Sequence, residues 1–357
     1  MNFASDNVMG VSPEILDALA RANEGSEVSY GSDRWTKRAE MRLSELFECE
    51  IAMFLVATGT GANALSLAAM TPPFGSVICH RESHIMIDEC GAPELFTGGA
   101  KLIAVDGAGG KMSASSVEEA LAAFGRPPHS VKPAAISITQ ASEYGTTYKV
   151  SEIEAIAEVG RRHGCRLHMD GARFANAVVS LQARPADITW RAGVDVLSFG
   201  FTKNGALGAE AVILFDTGLA VDFPYLRKRT GHLWSKGRFL GAQVDAMLDQ
   251  DLWMRNATHA NAMAKRLHEG LSLCKGVRFP VAVEANELFP ILPRPLHEAL
   301  LAQGANFYEW SPGGVAPADR PKAGEVMARM VTSFATRQED VESFIKLAQD
   351  LSTAKAA

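Results

Sequence analysis

The chain has 357 residues, 47% hydrophobic and 21% charged, and a formal net charge of -6. That length exceeds what one core usually fills, so a large and a smaller domain are expected, and the composition excludes a disordered or fibrous chain. The acidic balance, with no long Lys/Arg block, argues against a nucleic-acid binder and favours small-molecule chemistry.

No apolar run approaches the ~18 residues needed to cross a bilayer. The opening Met-Asn-Phe-Ala-Ser-Asp lacks the basic and apolar regions of a signal peptide, so a cytoplasmic protein without membrane contact is expected. The five cysteines (Cys49, Cys79, Cys90, Cys165, Cys274) are odd in number and widely spaced, which suits reduced, mostly buried thiols.

In chain order, residues 1–30 read as an N-terminal arm holding the amphipathic helix Pro13–Asn23, with Ser12 as its cap and Gly25 as its stop. Residues 31–250 read as a large α/β domain whose seven strands are Ile51–Ala57, Ser76–His80, Lys101–Asp106, Ala134–Gln140, Arg166–Asp170, Asp195–Gly200 and Ala209–Phe215. Helical patterns alternate with these near-continuous apolar runs, as in a mostly parallel sheet covered on both faces. Ser115–Glu118 and Ser151–Glu154 each fit a capping box. From 251 to 357 the pattern becomes a smaller α+β domain. It has a long helix to about Leu273, β pieces at Val277–Val283, Glu287–Leu292 and Val326–Phe334, and helices near His297 and after Thr336.

Three motifs end apolar strands, where ligands of open α/β sheets gather. Leu167-His168-Met169-Asp170-Gly171-Ala172-Arg173 brings an acid and a base, although Asp-Gly also makes an ordinary turn. Phe201-Thr202-Lys203-Asn204-Gly205 brings a lysine that, if partly desolvated, can form a Schiff base; the alternative is a solvated lysine. Ala57-Thr58-Gly59-Thr60-Gly61-Ala62-Asn63 opens a helix whose amides and dipole attract phosphate. Pyridoxal phosphate needs an acid at its ring nitrogen, a lysine for its aldehyde and a cradle for its phosphate. Gly59-x-Gly61-x-x-Ala64 with Glu82 beyond also fits a dinucleotide fingerprint, yet a nicotinamide enzyme leaves Asp170, Arg173 and Lys203 without a task. A non-enzymatic binding protein is a third reading.

His80 ends a strand, so His80 and His84 lack the helical spacing of a metal pair, and no metal is expected. His84 is either a capping or solvated histidine or a ring lying on the cofactor. The basic stretch Arg227–Arg238 is a solvated face, or meets a phosphate or a neighbouring subunit; its Ser235-Lys236-Gly237 follows no apolar strand. Arg329, inside the apolar run Val326–Val331, fits a carboxylate clamp or a structural ion pair.

The arrangement resembles the L-threonine aldolase family of the β-eliminating lyases, pyridoxal enzymes of fold type I, and in particular its bacterial low-specificity branch close to the phenylserine aldolases. The resemblance runs in order through Phe3-Ala4-Ser5-Asp6-Asn7, Tyr30-Gly31-Ser32-Asp33, Thr58-Gly59-Thr60, His84, His168–Arg173, Thr202–Gly205 and Arg329–Thr332. It implies retro-aldol cleavage of a β-hydroxy-α-amino acid to glycine and an aldehyde; another pyridoxal β-lyase or an aminotransferase is the alternative. It further implies that Lys203 carries the cofactor and that Thr58, Gly59, Thr60 and Thr202 surround it. Asp170 would pair with the ring nitrogen, and His84 would stack on the ring and, itself or through a water it holds, take the β-hydroxyl proton. Arg173, Arg329 and Ser5 would bind the substrate carboxylate. Tyr30, and Arg229 or Arg238, would reach in from a partner subunit of a homotetramer, a dimer of dimers with sites at the dimer interface. Many relatives have a histidine in an Asn-Thr-His element where this chain reads Thr139-Gln140-Ala141-Ser142-Glu143. Gln140 or Ser142 is therefore expected to make a weaker contact with the β-hydroxyl.

Overall fold

In the computed structural model, which describes residues 1–353, every one of the seven apolar runs forms a strand within two residues of its expected bounds. They are β1 (Ala52–Val56), β2 (Gly75–His80), β3 (Lys101–Val105), β4 (Lys132–Thr139), β5 (Arg166–Gly171), β6 (Val196–Gly200) and β7 (Glu210–Leu214). The sheet order is β1-β7-β6-β5-β4-β2-β3, and only β7 runs against its neighbours. All residues of β2, β6 and β7 are buried, as strands covered on both faces must be.

The sheet's two faces carry different chemistry. Met169, Leu197 and Phe199 join a core with Leu43, Phe47 and Phe174, while Val196, Val212 and Leu214 pack with Leu65 and Leu67 on the other side. That second side also receives His168, Asp170 and Ser198, because strand residues alternate faces. The helix Gly59–Met70 lies over it and presents Asn63 and Ser66, one turn apart, to Asp170 and Ser198. His168 is fully buried, bonded to the hydroxyls of Ser137 and Ser198 at 2.9 Å each, and burial lowers its pKa to about 4.

The small sheet consists of β8 (Glu287–Leu288), β9 (Ile291–Pro293), β10 (Tyr308–Glu309) and β11 (Glu325–Val331), with β11 pairing antiparallel to the other three. Its core includes Leu267, Leu271, Leu300, Met330 and Phe344. The N-terminal segment is not a free arm. Phe3 enters this core, its amide donating to the Asn306 carbonyl and its carbonyl accepting from Val331 N, both at 2.8 Å.

Several local expectations are corrected. Ser12 precedes the helix Pro13–Ala22, but its hydroxyl accepts from Asn256 Nδ2 at 3.1 Å and makes no cap bond. The first capping box forms between Ser113 and Ser116, since a serine hydroxyl at the third helical position can replace the expected Glu118. In the next helix Glu152, not Glu154, accepts from the Lys149 amide. Val277–Val283 makes no strand beyond the single bridge Arg278–Ile291; Pro280 within it lacks the ladder donor.

Candidate active site

The carboxyl ends of β1, β2, β4, β5 and β6 and the start of antiparallel β7 meet at one edge of the sheet. A cavity of about 270 Å³ opens there, lined by Thr58, Gly59, Thr60, His84, Asp170, Thr202 and Lys203, together with Asn63, Glu143 and Glu210. Thr58 caps the helix above it, its Oγ accepting from Gly61 N at 3.0 Å. A Cβ at Gly61 would sit 2.3 Å from His232 Nε2, so any larger residue there has to displace that imidazole.

Asp170 Oδ1 accepts from Ala172 N at 3.0 Å and Oδ2 from Asn63 Nδ2 at 2.8 Å. Asn63 also donates to Glu89 Oε1 at 2.8 Å, and that oxygen lies 2.8 Å from His84 Nδ1. The Glu89 bond raises the His84 pKa, and burial raises that of Glu89. One amide thus ties the strand-end acid to a histidine–carboxylate pair.

Lys203 sits on the single turn Thr202–Asn204 after β6 and has no ion pair among the described residues. Glu210 accepts from Phe201 N at 2.7 Å beside it, and burial lifts its pKa to about 7. Glu143 comes from the loop after β4. Burial raises its pKa, the charges of Lys203 and Arg173 oppose the rise, and those of Glu287 and Asp170 add to it.

The arginines behave differently from expectation. Arg173 is 4% exposed and outside the cavity lining; Nε and Nη2 donate to Asp6 at 2.8 and 3.0 Å, and Nη1 lies 3.0 Å from Glu287. Arg329 reaches the other Glu287 oxygen at 2.7 Å, and its guanidinium lies over Trp310. Carboxylates from the N-terminal segment and β8 therefore already occupy these cations. Burial alone would raise the Asp6 pKa, but Arg173, Lys203 and the bonds from Arg173 and Asn286 hold it at about 2. Asp6 thus stabilises the fold above about pH 4, and that contribution disappears as pH falls through about 2. In urea unfolding, the wild type should lose about 2 kcal/mol more than D6N between pH 5 and pH 2. Equal losses in the two proteins would rule out this linkage.

Other expected residues also lie outside the cavity lining. Gln140 is fully buried and spends its side-chain amide on the Tyr148 backbone, at 2.9 and 2.8 Å; Ser142 is bonded to Gly109 O and Thr146. Neither is free for a substrate hydroxyl, which corrects the expectation. Ser5 caps the turn Asp6–Val8, and His80 is bonded to Gly107 O. Tyr30 is 49% exposed with Lys228 over its ring, Arg229 is exposed, and Arg238 donates to Gly25 O at 3.1 Å. Arg227 is buried with Nε and Nη2 unpaired, and burial lowers its pKa to about 10.

The sheet order decides between the cofactors. A dinucleotide fingerprint requires its strand to be paired in parallel within a βαβ unit, whereas β1 is an edge strand paired only with antiparallel β7, far from β2. Pyridoxal phosphate fits instead: a free amine, a carboxylate, a capped helix start and an imidazole converge on one cavity. The fold and the site define a pyridoxal-phosphate enzyme of fold type I.

Comparison with known proteins narrows this class. Residues 2–294 match the beta-eliminating lyase family. A low-specificity L-threonine aldolase of Pseudomonas aeruginosa is 42% identical over 349 residues, 98% of this chain and 96% of that one. Another from a Pseudomonas species is 43% identical over 312 residues, 87% of this chain and 90% of that one. The solved threonine aldolase of Leishmania major superposes with a TM-score of 0.91 at 30% identity, covering 99% of each chain. The chain belongs to the beta-eliminating lyase family and, with these relatives, is a carbon–carbon lyase.

Proposed function

We propose that this enzyme cleaves L-threonine and L-allo-threonine, and aryl analogues such as phenylserine, to glycine and an aldehyde. The observation that carries the reading is the convergence of Lys203, Asp170, His84 and the Gly59 helix start on one cavity. When bound, pyridoxal phosphate supplies an electron sink for the pair left on Cα. Lys203 holds its aldehyde carbon, Asp170 faces its ring nitrogen, and the helix start with Thr58, Gly59 and Thr60 takes its phosphate. His84, oriented by Glu89, lies beside the ring. Arg329 and Ser5 would take the substrate carboxylate by exchanging their present bonds, Arg329 to Glu287 and Ser5 to Asn7 N, with Arg173 as the strut that holds Asp6 and Glu287 near them.

Tyr30, with Arg229 or Arg238, completes the site of a neighbouring copy in a homotetramer built from dimers. Support comes from the exposed rings of Tyr30 and Trp234, at 49% and 43%, on segments joined by the Tyr30 N to Ser235 O bond. The proposed division into residues 1–30, 31–250 and 251–357 is supported by the separate core under the small sheet, although Phe3 belongs to that core. The five unpaired cysteines suit the cytoplasm.

An absorbance spectrum before and after glycine, with an aldehyde-coupled assay, tests the function. Gln140 and Ser142 contribute no group selective for one β-hydroxyl orientation, whereas the carboxylate and amine contacts fix Cα. Both L epimers should turn over within about a hundredfold of each other, or about 2.7 kcal/mol in the barrier, and D isomers should not react. A larger preference for either L epimer would sink the reading of the β-site. A colourless protein that binds NAD would overturn the functional proposal.

A further inference from the structure

Of the carboxyl groups lining the cavity, Asp170 and Glu210 accept backbone hydrogen bonds, but Glu143 has no hydrogen-bond or ion-pair partner among the described residues. Its presentation is rigid. Ser142 and Tyr144, its chain neighbours, are both fully buried. Ser142 Oγ donates to Gly109 O at 2.8 Å and accepts from Tyr144 N and Thr146 N at 3.2 Å each. Tyr144 donates its hydroxyl to Ser311 O at 2.9 Å and accepts from Gly314 N at 2.8 Å. At the start of the loop, Gln140 N donates to Asp170 O at 2.8 Å, so the loop is keyed to the strand that carries the site acid. Of Gln140, Ser142 and Glu143, the polar residues of this turn, only Glu143 lines the cavity.

Glu143 is half-buried, and a carboxyl held facing a cavity without a partner costs stability unless it has a task. Lys203 and Arg173 favour its charged form; Glu287 and Asp170 oppose it, and its charge also acts on His84. His84 already has Nδ1 on Glu89, and that bond favours its protonated form, in which neither ring nitrogen has a lone pair left to take a proton.

We propose that Glu143 is a catalytic residue of the cleavage, taking the β-hydroxyl proton of the substrate onto its carboxylate as the Cα–Cβ bond breaks. The inference rests on the functional reading above. The O–H bond breaks and its electron pair becomes the second bond of the aldehyde carbonyl. The Cα–Cβ pair stays on Cα, which then receives a proton from Glu143 or water to give glycine. A carboxylate that burial has made more basic suits this transfer better than an exposed one.

The test uses the cofactor-loaded enzyme and its E143Q and E143D variants, with two readouts. E143Q keeps the side-chain size but cannot take the proton, so turnover of both L epimers should fall about a hundredfold or more, and E143D should recover at least about tenfold over E143Q. Glycine has no β-hydroxyl. Its binding, read from the absorbance change without cleavage, should stay within about threefold of wild type in both variants, which also shows that they fold and load cofactor. The proposal is overturned if E143Q loses less than about tenfold with either epimer, if E143D is no better than E143Q, or if glycine binding weakens in step with turnover. A wild type that binds no cofactor, or releases no aldehyde from either epimer, overturns the functional reading itself and this proposal with it.

Discussion

Replacing Lys203 with alanine is expected to lower turnover by roughly four orders of magnitude or more, about 5 kcal/mol in the barrier. The amine sits at the turn after β6, lines the cavity and is held by no ion pair, so alanine removes the nucleophile without breaking a described contact. Folding should survive, while the charge balance of Asp6, Glu143 and Glu210 shifts, since all three carboxyls feel Lys203. In the wild type, borohydride should fix the cofactor on the peptide containing Lys203. Label on exposed Lys236 instead, or a Lys203→Ala protein that retains more than about 1% of turnover, would refute the assignment.

How far the site could be read from the sequence depends on how local each signal is. Lys203, Asp170 and Thr58–Thr60 end or follow apolar strands, and strand ends of a largely parallel sheet collect at one edge whatever the strand order. Choosing pyridoxal phosphate over a dinucleotide needed more. The glycine pattern is the same for both; the tasks it leaves to Asp170, Arg173 and Lys203 favour pyridoxal phosphate, and the edge position of β1 against β7 excludes the dinucleotide. That pairing is non-local, and no window of residues around Gly59 contains it.

The polar residues that support these groups were illegible for the same reason. Asn63 acquires its role because the helix Gly59–Met70 crosses β5, so that one side-chain amide meets both Glu89 and Asp170. Arg173 and Arg329 did signal that something charged must meet them inside apolar surroundings. Their partners, Asp6 and Glu287, come from opposite ends of the chain, and only the insertion of Phe3 into the small core brings Asp6 there. After β4 the motif's departure was visible, but its direction was not. Hydrogen bonds inside the loop turn Gln140 and Ser142 away and leave Glu143 in the cavity.

Asp170→Asn should leave the fold intact and lower turnover by about a thousandfold or more, near 4 kcal/mol. An ordinary turn aspartate would use its carboxyl only for the Ala172 amide, at 3.0 Å, and the carbonyl of asparagine can accept that bond equally well. The second oxygen separates the two roles. It accepts from Asn63 Nδ2 at 2.8 Å and faces the cavity, where a carboxylate holds a protonated ring nitrogen and a neutral amide does not. Asparagine would either turn its amide toward Asn63, setting donor against donor, or flip and give up the Ala172 bond, a local cost of about 1 kcal/mol. That is too small to unfold a sheet whose β5 is paired on both sides with β4 and β6. Thermal melting and turnover of the purified variant measure the two effects separately. A folded Asp170→Asn enzyme within about tenfold of wild-type turnover would leave Asp170 as a turn residue and remove the acid from the site.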